Sequence, residues 1–131
     1  MRLILLWGLA IGCAIACVDV LAGEASRSLS DADVRAAIEL VDLIVNLGLC
    51  GWASFRVATA LGELRPGLEA AVLAGAVAGL VGIVYQVVRP LEAPAAEDLV
   101  ALVAWNIVLA AVAGSLGAWA GNLRRPAPPT R

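Results

Sequence analysis

One face of a long apolar segment carries the residues best suited to chemistry. Arg35, Glu39, Asp42, Asn46 and Cys50 follow one another at spacings of 4, 3, 4 and 4 residues, which places them on one side of a helix. The rest of the segment is largely Leu, Val and Ile. An ionisable residue inside a membrane span by default faces the protein interior or a wet cavity. The pattern therefore indicates an outward-facing pocket for a proton, a cation or an organic ligand, with Asp42 as its central carboxylate.

Polar residues on the other apolar segments are expected at the same level of the molecule. Asp19 lies in the first segment, Gln86 and Arg89 lie at the end of the third, and Asn106 lies in the fourth. The predicted intramembrane polar cluster therefore consists of Asp19, Glu39, Asp42, Asn46, Gln86, Arg89 and Asn106.

A structural interpretation of the same residues competes with this one. In it, Glu39 pairs with Arg35 one helical turn away, and Asp19 pairs with Arg89. The amides then form hydrogen bonds between helices, and the cluster binds nothing.

No residue pattern indicates catalysis or a metal site. The chain contains no His and three Cys, none of them in a Cys-x-x-Cys pair. Cys13, Cys17 and Cys50 are expected to be small apolar fillers. Gly-rich phosphate loops, Gly-x-Ser-x-Gly and His-Glu-x-x-His are also absent from the sequence. We therefore predict no catalytic residue, no metal, no cofactor and no enzymatic activity.

The composition predicts an integral membrane protein. The hydrophobic fraction is 62% and the mean hydropathy is +0.93, whereas soluble domains are roughly 45–50% apolar. Residues 70–88 and 99–123 are uncharged runs of 19 and 25 residues, and a spanning helix needs about 20. The net charge of −2 and the lack of a basic patch argue against nucleic acid as a partner.

We predict an all-α four-helix transmembrane bundle made of two antiparallel hairpins. The helices are expected at about 3–21, 31–61, 68–88 and 97–123, with Ser30 as the N-cap of the second. Residues 65–67 are expected to break the chain, because proline disfavours helix in the residue before it. Residues 1–123 then form a single transmembrane domain, and residues 124–131 form a short disordered Arg/Pro-rich tail.

The distribution of arginine predicts the orientation. If both termini share one side of the membrane, that side carries six arginines and the other carries three. The six are Arg2, Arg56, Arg65, Arg124, Arg125 and Arg131, and the three are Arg27, Arg35 and Arg89. The basic side is cytoplasmic by the positive-inside rule, and Trp7, Trp52 and Trp119 would form an aromatic belt there. We therefore expect a multi-pass protein of the bacterial inner membrane with both termini in the cytoplasm.

Residues 14–17, Ala-Ile-Ala-Cys, leave an alternative open for the N-terminus. They resemble a lipobox with Cys17 as the lipidation site, and the first three resemble a signal-peptidase site. Either cleavage would leave three helices and an external N-terminus. The single Arg before the apolar segment argues against both.

Small residues at four-residue spacing predict how the helices pack. Lipid is as apolar as leucine, so close backbone approach must drive association. Stripes on the third and fourth helices predict a tight antiparallel pair. Their glycines are Gly75, Gly79, Gly82, Gly114, Gly117 and Gly121. The same stripes would also suit a homodimer or a larger membrane complex, with the lipid bilayer as the other partner.

These features favour a small non-enzymatic membrane protein that serves as a structural or accessory subunit. The alternative is a small dimeric transporter or channel whose outer-leaflet carboxylates bind a cation or proton. A pH-responsive membrane sensor is a third, weaker hypothesis.

Overall fold

The computed structural model describes residues 1–88 and 95–124 of the chain. These residues fold into four helices, α1 (Arg2–Ser28), α2 (Ala32–Leu61), α3 (Leu64–Val88) and α4 (Ala96–Leu123). Each helix is long and apolar enough to cross a membrane. The prediction of an all-α chain with four such helices is confirmed. Apart from Arg124, the predicted tail lies outside the described residues.

The first helix is longer than the sequence predicts. Residues 22–28, expected as a loop, continue α1 to Ser28. Glu24 forms an ion pair with Arg27 at 3.8 Å, and its Oε1 accepts a 2.7 Å hydrogen bond from the hydroxyl of Tyr85 on α3. These contacts hold the polar end of α1 against the bundle.

The second helix begins one residue later than expected, and its cap differs. Asp31 is the N-cap of α2, and its Oδ1 accepts hydrogen bonds from the N–H groups of Asp33 at 2.9 Å and Val34 at 3.3 Å. The prediction of Ser30 as N-cap is therefore wrong by one residue. A carboxylate at this place satisfies otherwise unpaired backbone donors and also complements the positive end of the helix dipole.

The turn between α2 and α3 depends on a glycine. Gly62 ends α2 with φ 70°, a left-handed conformation that lacks the usual penalty because glycine has no Cβ. Pro66 then lies in the first turn of α3, which begins at Leu64. The expected break at residues 65–67 is therefore wrong. Proline lacks a backbone N–H, and in the first turn of a helix an N–H would have no intrahelical partner, so no hydrogen bond is lost there.

The helices form a ring in which α1 contacts α3, α3 contacts α4, α4 contacts α2 and α2 contacts α1. The helices α2 and α3 also touch across the ring. Within the described ranges, α1 and α4 make no contact with each other. All four helices line the cavity described below.

Small side chains fill the interior, and large apolar side chains face outward. The buried set is mostly Ala and Gly, with Ile15 and Val57 among its few large members. In contrast, Leu21, Val100 and Leu116 are 69%, 69% and 66% exposed. Apolar surface this extensive is rare on monomeric soluble proteins. A bundle with small residues inside and large ones outside is the arrangement expected for helices that associate in lipid.

Candidate functional site

A cavity of about 940 Å³ lies at the end of the bundle where α1 ends and α2 begins. All four helices line it. Its polar and aromatic lining residues are Asp19, Ser26, Arg27, Arg35, Glu39, Asp42, Asn46, Tyr85, Gln86, Trp105 and Asn106. The structure thus brings six of the seven residues of the predicted polar cluster to one cavity. Arg89, the seventh, lies outside the described residues.

Asn46 joins two carboxyl groups inside this cavity. Its Nδ2 donates to Oδ1 of Asp19 at 2.6 Å and to Oδ2 of Asp42 at 3.5 Å. Because both bonds share one nitrogen, the two carboxyl oxygens lie no more than 6.1 Å apart, the sum of those distances. Asp19 is on α1, while Asn46 and Asp42 are one turn apart on α2. We call these three residues the carboxyl–amide group.

The carboxyl–amide group has more hydrogen-bond acceptors than donors. When both carboxyl groups are ionised, they and the amide oxygen offer only acceptor atoms, and the amide nitrogen is the sole donor of the three side chains. Oδ1 of Asp42 and Oδ1 of Asn46 are buried without a hydrogen-bond partner in the described structure. Buried polar atoms are normally hydrogen-bonded, so unpaired acceptors call for an explanation. A proton or a cation placed here would supply what the group lacks.

Neither carboxylate has a basic partner in the part of the chain that the structure describes. The ion pairs there join Arg27 to Glu24 and Arg65 to Glu69. The competing structural interpretation expected Arg35 to pair with Glu39, and no such pair occurs in residues 1–88 and 95–124. The pairing of Asp19 with Arg89 involves a residue outside those ranges.

The longer α1 places Asp19 deeper than the sequence indicates. Nine residues separate Asp19 from Ser28 at the end of α1, a rise of about 14 Å. Asp42 lies ten residues after the first residue of α2, about 15 Å from that end. Both carboxylates are therefore well inside the bundle, far from the helix ends where charge is most easily tolerated.

The rim of the cavity carries charges of both signs. Arg27 and Arg35 line it one to two turns above the carboxyl–amide group, together with Glu39. The guanidinium of Arg27 lies 5.0 Å from the ring centre of Tyr85, whose hydroxyl donates to Glu24. These contacts connect the rim of α1 to α3.

The two remaining amides of the predicted cluster lie on the opposite wall. Nδ2 of Asn106 donates to the carbonyl oxygen of Leu102 within α4 at 3.0 Å, and Gln86 lines the cavity from α3. The bond of Asn106 lies within its own helix, so this amide does not join two helices. The amide of Asn46 does join two helices, as the structural interpretation expected.

Below the carboxyl–amide group the helices approach too closely for any larger side chain. A Cβ at Gly75 would lie 2.6 Å from both Ala110 Cβ and Asn106 O, and one at Gly12 would lie 2.9 Å from Ala74 O. Deeper still, the buried hydroxyl of Ser54 donates to the carbonyl oxygen of Gly114 at 2.7 Å. The cavity therefore has a packed floor and opens toward one end of the bundle.

The predicted glycine stripes lie inside this packed region. Those on α4 contact two helices, α3 and α2, and not α3 alone. Gly75, Gly79 and Gly82 face α4, and Gly114 faces Ala71 on α3. Gly117 and Gly121 instead lie against the backbone of α2, at Gly51 and Phe55. The fourth helix thus uses one stripe for α3 and another for α2. Since both stripes are occupied within one chain, a homodimer would need a different surface.

Sequence reasoning missed the aromatic residues of the cavity. Tyr85 and Trp105 line it beside Gln86 and Asn106, their immediate neighbours in the chain. Their position next to predicted cluster residues was an available signal. A helical wheel centred on those amides would have included both rings.

The cysteines take no part in the site. Cys50 is buried, and Cys13 and Cys17 are exposed on the outer face of α1. No group of three His, Cys, Asp or Glu residues capable of holding a metal occurs in the described ranges. Ile15 and Ala16, which precede Cys17 in the lipobox-like motif, are buried in the bundle core. Cleavage there would remove the packing of Gly8 and Gly12 against α3.

Comparisons with protein-family models, with curated protein sequences and with solved structures gave no significant match.

Proposed function

We propose that this chain is a small cation- or proton-binding membrane protein of the transporter or channel class. It would cross the bacterial inner membrane four times, with both termini in the cytoplasm. Its site would be the outward-opening cavity, and it would not be an enzyme. The observation that carries this proposal is the carboxyl–amide group, which has unpaired acceptors inside a cavity that all four helices line.

The chemistry of the site follows from its shortage of hydrogen-bond donors. A proton added to Asp42 would turn an unpaired acceptor into a donor beside Asn46 and Asp19. A bound cation would instead neutralise two carboxylates that lie in an environment of low dielectric constant, where their mutual repulsion is strong. Either event would stabilise the outer half of the bundle, because it ties α1 to α2.

The packed floor indicates the direction of access. In the described residues, the close helix contacts below Asp19 and Asp42 close the cavity on that side. Passage to the other side would require the close contacts at Gly75 and Gly12 to separate. The described conformation would therefore be the outward-open state of an alternating-access cycle or the closed state of a channel.

The aromatic residues support the proposed orientation. Trp7 and Trp52 meet edge to face at 4.9 Å, at the end of the bundle opposite the cavity, and Arg56 lies 5.8 Å above the Trp7 ring. Aromatic rings beside arginine are typical of the interface between membrane and water. The excess of arginine at this end would make it cytoplasmic.

A structural or accessory role is the competing proposal, because packing alone accounts for the inner half of the bundle. In that role the carboxyl–amide group would hold α1 to α2 and bind nothing. A flux measurement distinguishes the two roles.

The flux experiment uses proteoliposomes that contain a pH-sensitive dye, with an imposed proton gradient and a clamped membrane potential. We expect proton uptake above that of empty liposomes, and we expect Asp42→Asn to abolish it. Glu97→Gln is the matched control, because Glu97 is exposed on the same end of the bundle and does not line the cavity. Parallel assays with Na⁺ and K⁺ gradients test for the other cations.

Two results would contradict the transport proposal. One is an absence of any flux in the wild-type protein, and the other is equal flux in wild type and Asp42→Asn. If Asp42→Asn instead dissociates or unfolds in mild detergent while Glu97→Gln does not, the carboxylate is a structural contact. That result would favour the accessory role.

A further inference from the structure

We propose that the cavity binds an organic ammonium ion with an apolar body. This inference rests on the proposed cation-binding function and specifies the class of ligand. Its grounds are the size of the cavity, the chemistry of its floor and the composition of its walls.

The cavity is far larger than a bare ion requires. Its volume of about 940 Å³ lies within the range of roughly 300–1,000 Å³ typical of small-molecule sites. Hard metal cations such as Ca²⁺ need about six or more oxygen ligands. The described part of the chain offers no group of three metal-binding side chains. A ligand of many atoms fits these dimensions better than an inorganic ion.

The floor of the cavity suits an ammonium group. Asp19 and Asp42 provide carboxylate oxygens within 6.1 Å of each other, and no basic side chain pairs with them in residues 1–88 and 95–124. A protonated amine would donate hydrogen bonds to these oxygens, and a quaternary ammonium would neutralise their charge without donating. The unpaired acceptor atoms of Asp42 and Asn46 lie at this same level.

The walls above the floor suit an apolar body. Leu43 on α2 and Leu102 and Leu109 on α4 line the cavity beside the carboxyl–amide group. Apolar walls with a few convergent polar groups are the usual composition of a small-molecule site. An inorganic ion would leave these side chains without a partner.

Trp105 is the aromatic residue best placed to contact the ligand. The ring of Tyr85 already carries the guanidinium of Arg27 at 5.0 Å. Part of the Trp105 side chain lines the cavity, and the rest faces outward, since the residue is 60% exposed; Trp105 directly precedes Asn106. An indole face attracts a desolvated organic cation through its quadrupole. Trp105 would therefore contact either the ammonium group or its apolar substituents.

The test uses the full-length protein in lipid nanodiscs, with benzyltrimethylammonium as the probe and tryptophan fluorescence as the signal. Trp105 lines the cavity, whereas Trp7, Trp52 and Trp119 do not. We expect a saturable fluorescence change that is lost in Trp105→Phe and is absent with empty nanodiscs. Asp42→Asn should weaken binding about tenfold or more, because it removes one charged partner of the ligand. Glu97→Gln should bind as wild type does.

One ligand comparison on the wild-type protein needs no variant. The neutral analogue of the probe, in which carbon replaces the ammonium nitrogen, should bind at least about tenfold more weakly if the charge is recognised. If the neutral analogue binds equally well, the site recognises apolar shape and the ammonium inference is wrong.

The outcomes separate this inference from the proposed function. If protons, Na⁺ or K⁺ bind or move with dependence on Asp42 while benzyltrimethylammonium does not bind, the ammonium inference is wrong and the proposed function is supported. If the probe does not bind and no ion moves, both are wrong. If Asp42→Asn does not fold, Asp19→Asn takes its place, and the neutral-analogue comparison still decides.

Discussion

The side-chain nitrogen of Asn46 on α2 donates a 2.6 Å hydrogen bond to the carboxyl group of Asp19 on α1. The bond joins two helices, and the two residues are 27 positions apart in the chain. This bond lies about 14 Å from the C-terminal end of α1. It attaches α1, which does not contact α4 in the described ranges, to α2. The same bond also positions a carboxylate in the cavity, so the contact between α1 and α2 and the proposed ligand binding would involve the same atoms.

The first prediction concerns the coupling between Asp19 and Asn46. A double-mutant cycle with Asp19→Ala and Asn46→Ala should give a coupling free energy of roughly 0.5–2 kcal/mol, the range found for hydrogen bonds between membrane helices. Reversible unfolding of the four proteins in mixed detergent micelles measures it. Additive effects of the two substitutions would show that the bond does not contribute to stability.

The second prediction concerns the closest approach of α4 to α2. A Cβ at Gly117 would collide with the backbone of Gly51, whereas a Cβ at Gly48 on the outer face of α2 would meet nothing within 4 Å. Gly117→Ala should therefore lower the free energy of unfolding by roughly 1–3 kcal/mol, as overpacking does. Gly48→Ala is the matched control and should be neutral or slightly stabilising, because alanine favours helix. Equal effects on the unfolding free energy would contradict the described packing.

The third prediction concerns two serines with different partners. The hydroxyl of Ser54 is buried and donates to Gly114 on another helix at 2.7 Å, whereas Ser115 is exposed and donates to Ala111 within its own helix. Ser54→Ala should destabilise the bundle by about 1 kcal/mol, because it leaves a buried carbonyl without this donor. Ser115→Ala should change the thermal midpoint little. A larger loss of stability in Ser115→Ala than in Ser54→Ala would contradict the described packing, because it would mean that the face of α4 carrying Ser115 lies inside the bundle.

Much of the fold follows from the sequence because its signals are local. Apolar runs of spanning length give the number of helices, and the residues 70–88 and 99–123 coincide closely with α3 and α4. The spacing of Gly75 and Gly79 indicates a face capable of close approach, and that face meets α4. Helical periodicity requires no knowledge of the partner helix.

The N-cap of α2 and the expected break at residues 65–67 were errors of local geometry, whereas two other errors arose where a distant contact decides the structure. Residues 22–28 look like a loop because they are small and polar, yet Glu24 is held by Tyr85, 61 positions away. Similarly, nothing local to Gly117 indicates that it packs against α2 and not α3. Which stripe meets which helix depends on the arrangement of all four helices.

The sequence indicates which polar residues share the candidate site, but it does not indicate the hydrogen bonds between them. The spacing from Arg35 to Asn46 identifies a polar face, and the cavity is lined by the members of that face. The sequence did not indicate the hydrogen bond that Asp19 accepts from the amide of Asn46, and the predicted partner Arg89 lies outside the described residues. Periodicity identifies which residues share a face, but the choice of partner depends on the relative height of two helices.

Cysteine accessibility tests the central claim most directly, namely that a polar cavity opens to the outer side of a membrane-embedded bundle. In a background where the native cysteines are replaced by alanine, Asn106→Cys places a thiol in the cavity, and Val108→Cys places one on the outer face of α4 at nearly the same depth. Intact cells are then treated with a membrane-impermeant maleimide. We expect labelling at position 106 and none at position 108, because lipid would cover Val108. Labelling at position 108, or at position 106 from the cytoplasmic side alone, would contradict the account.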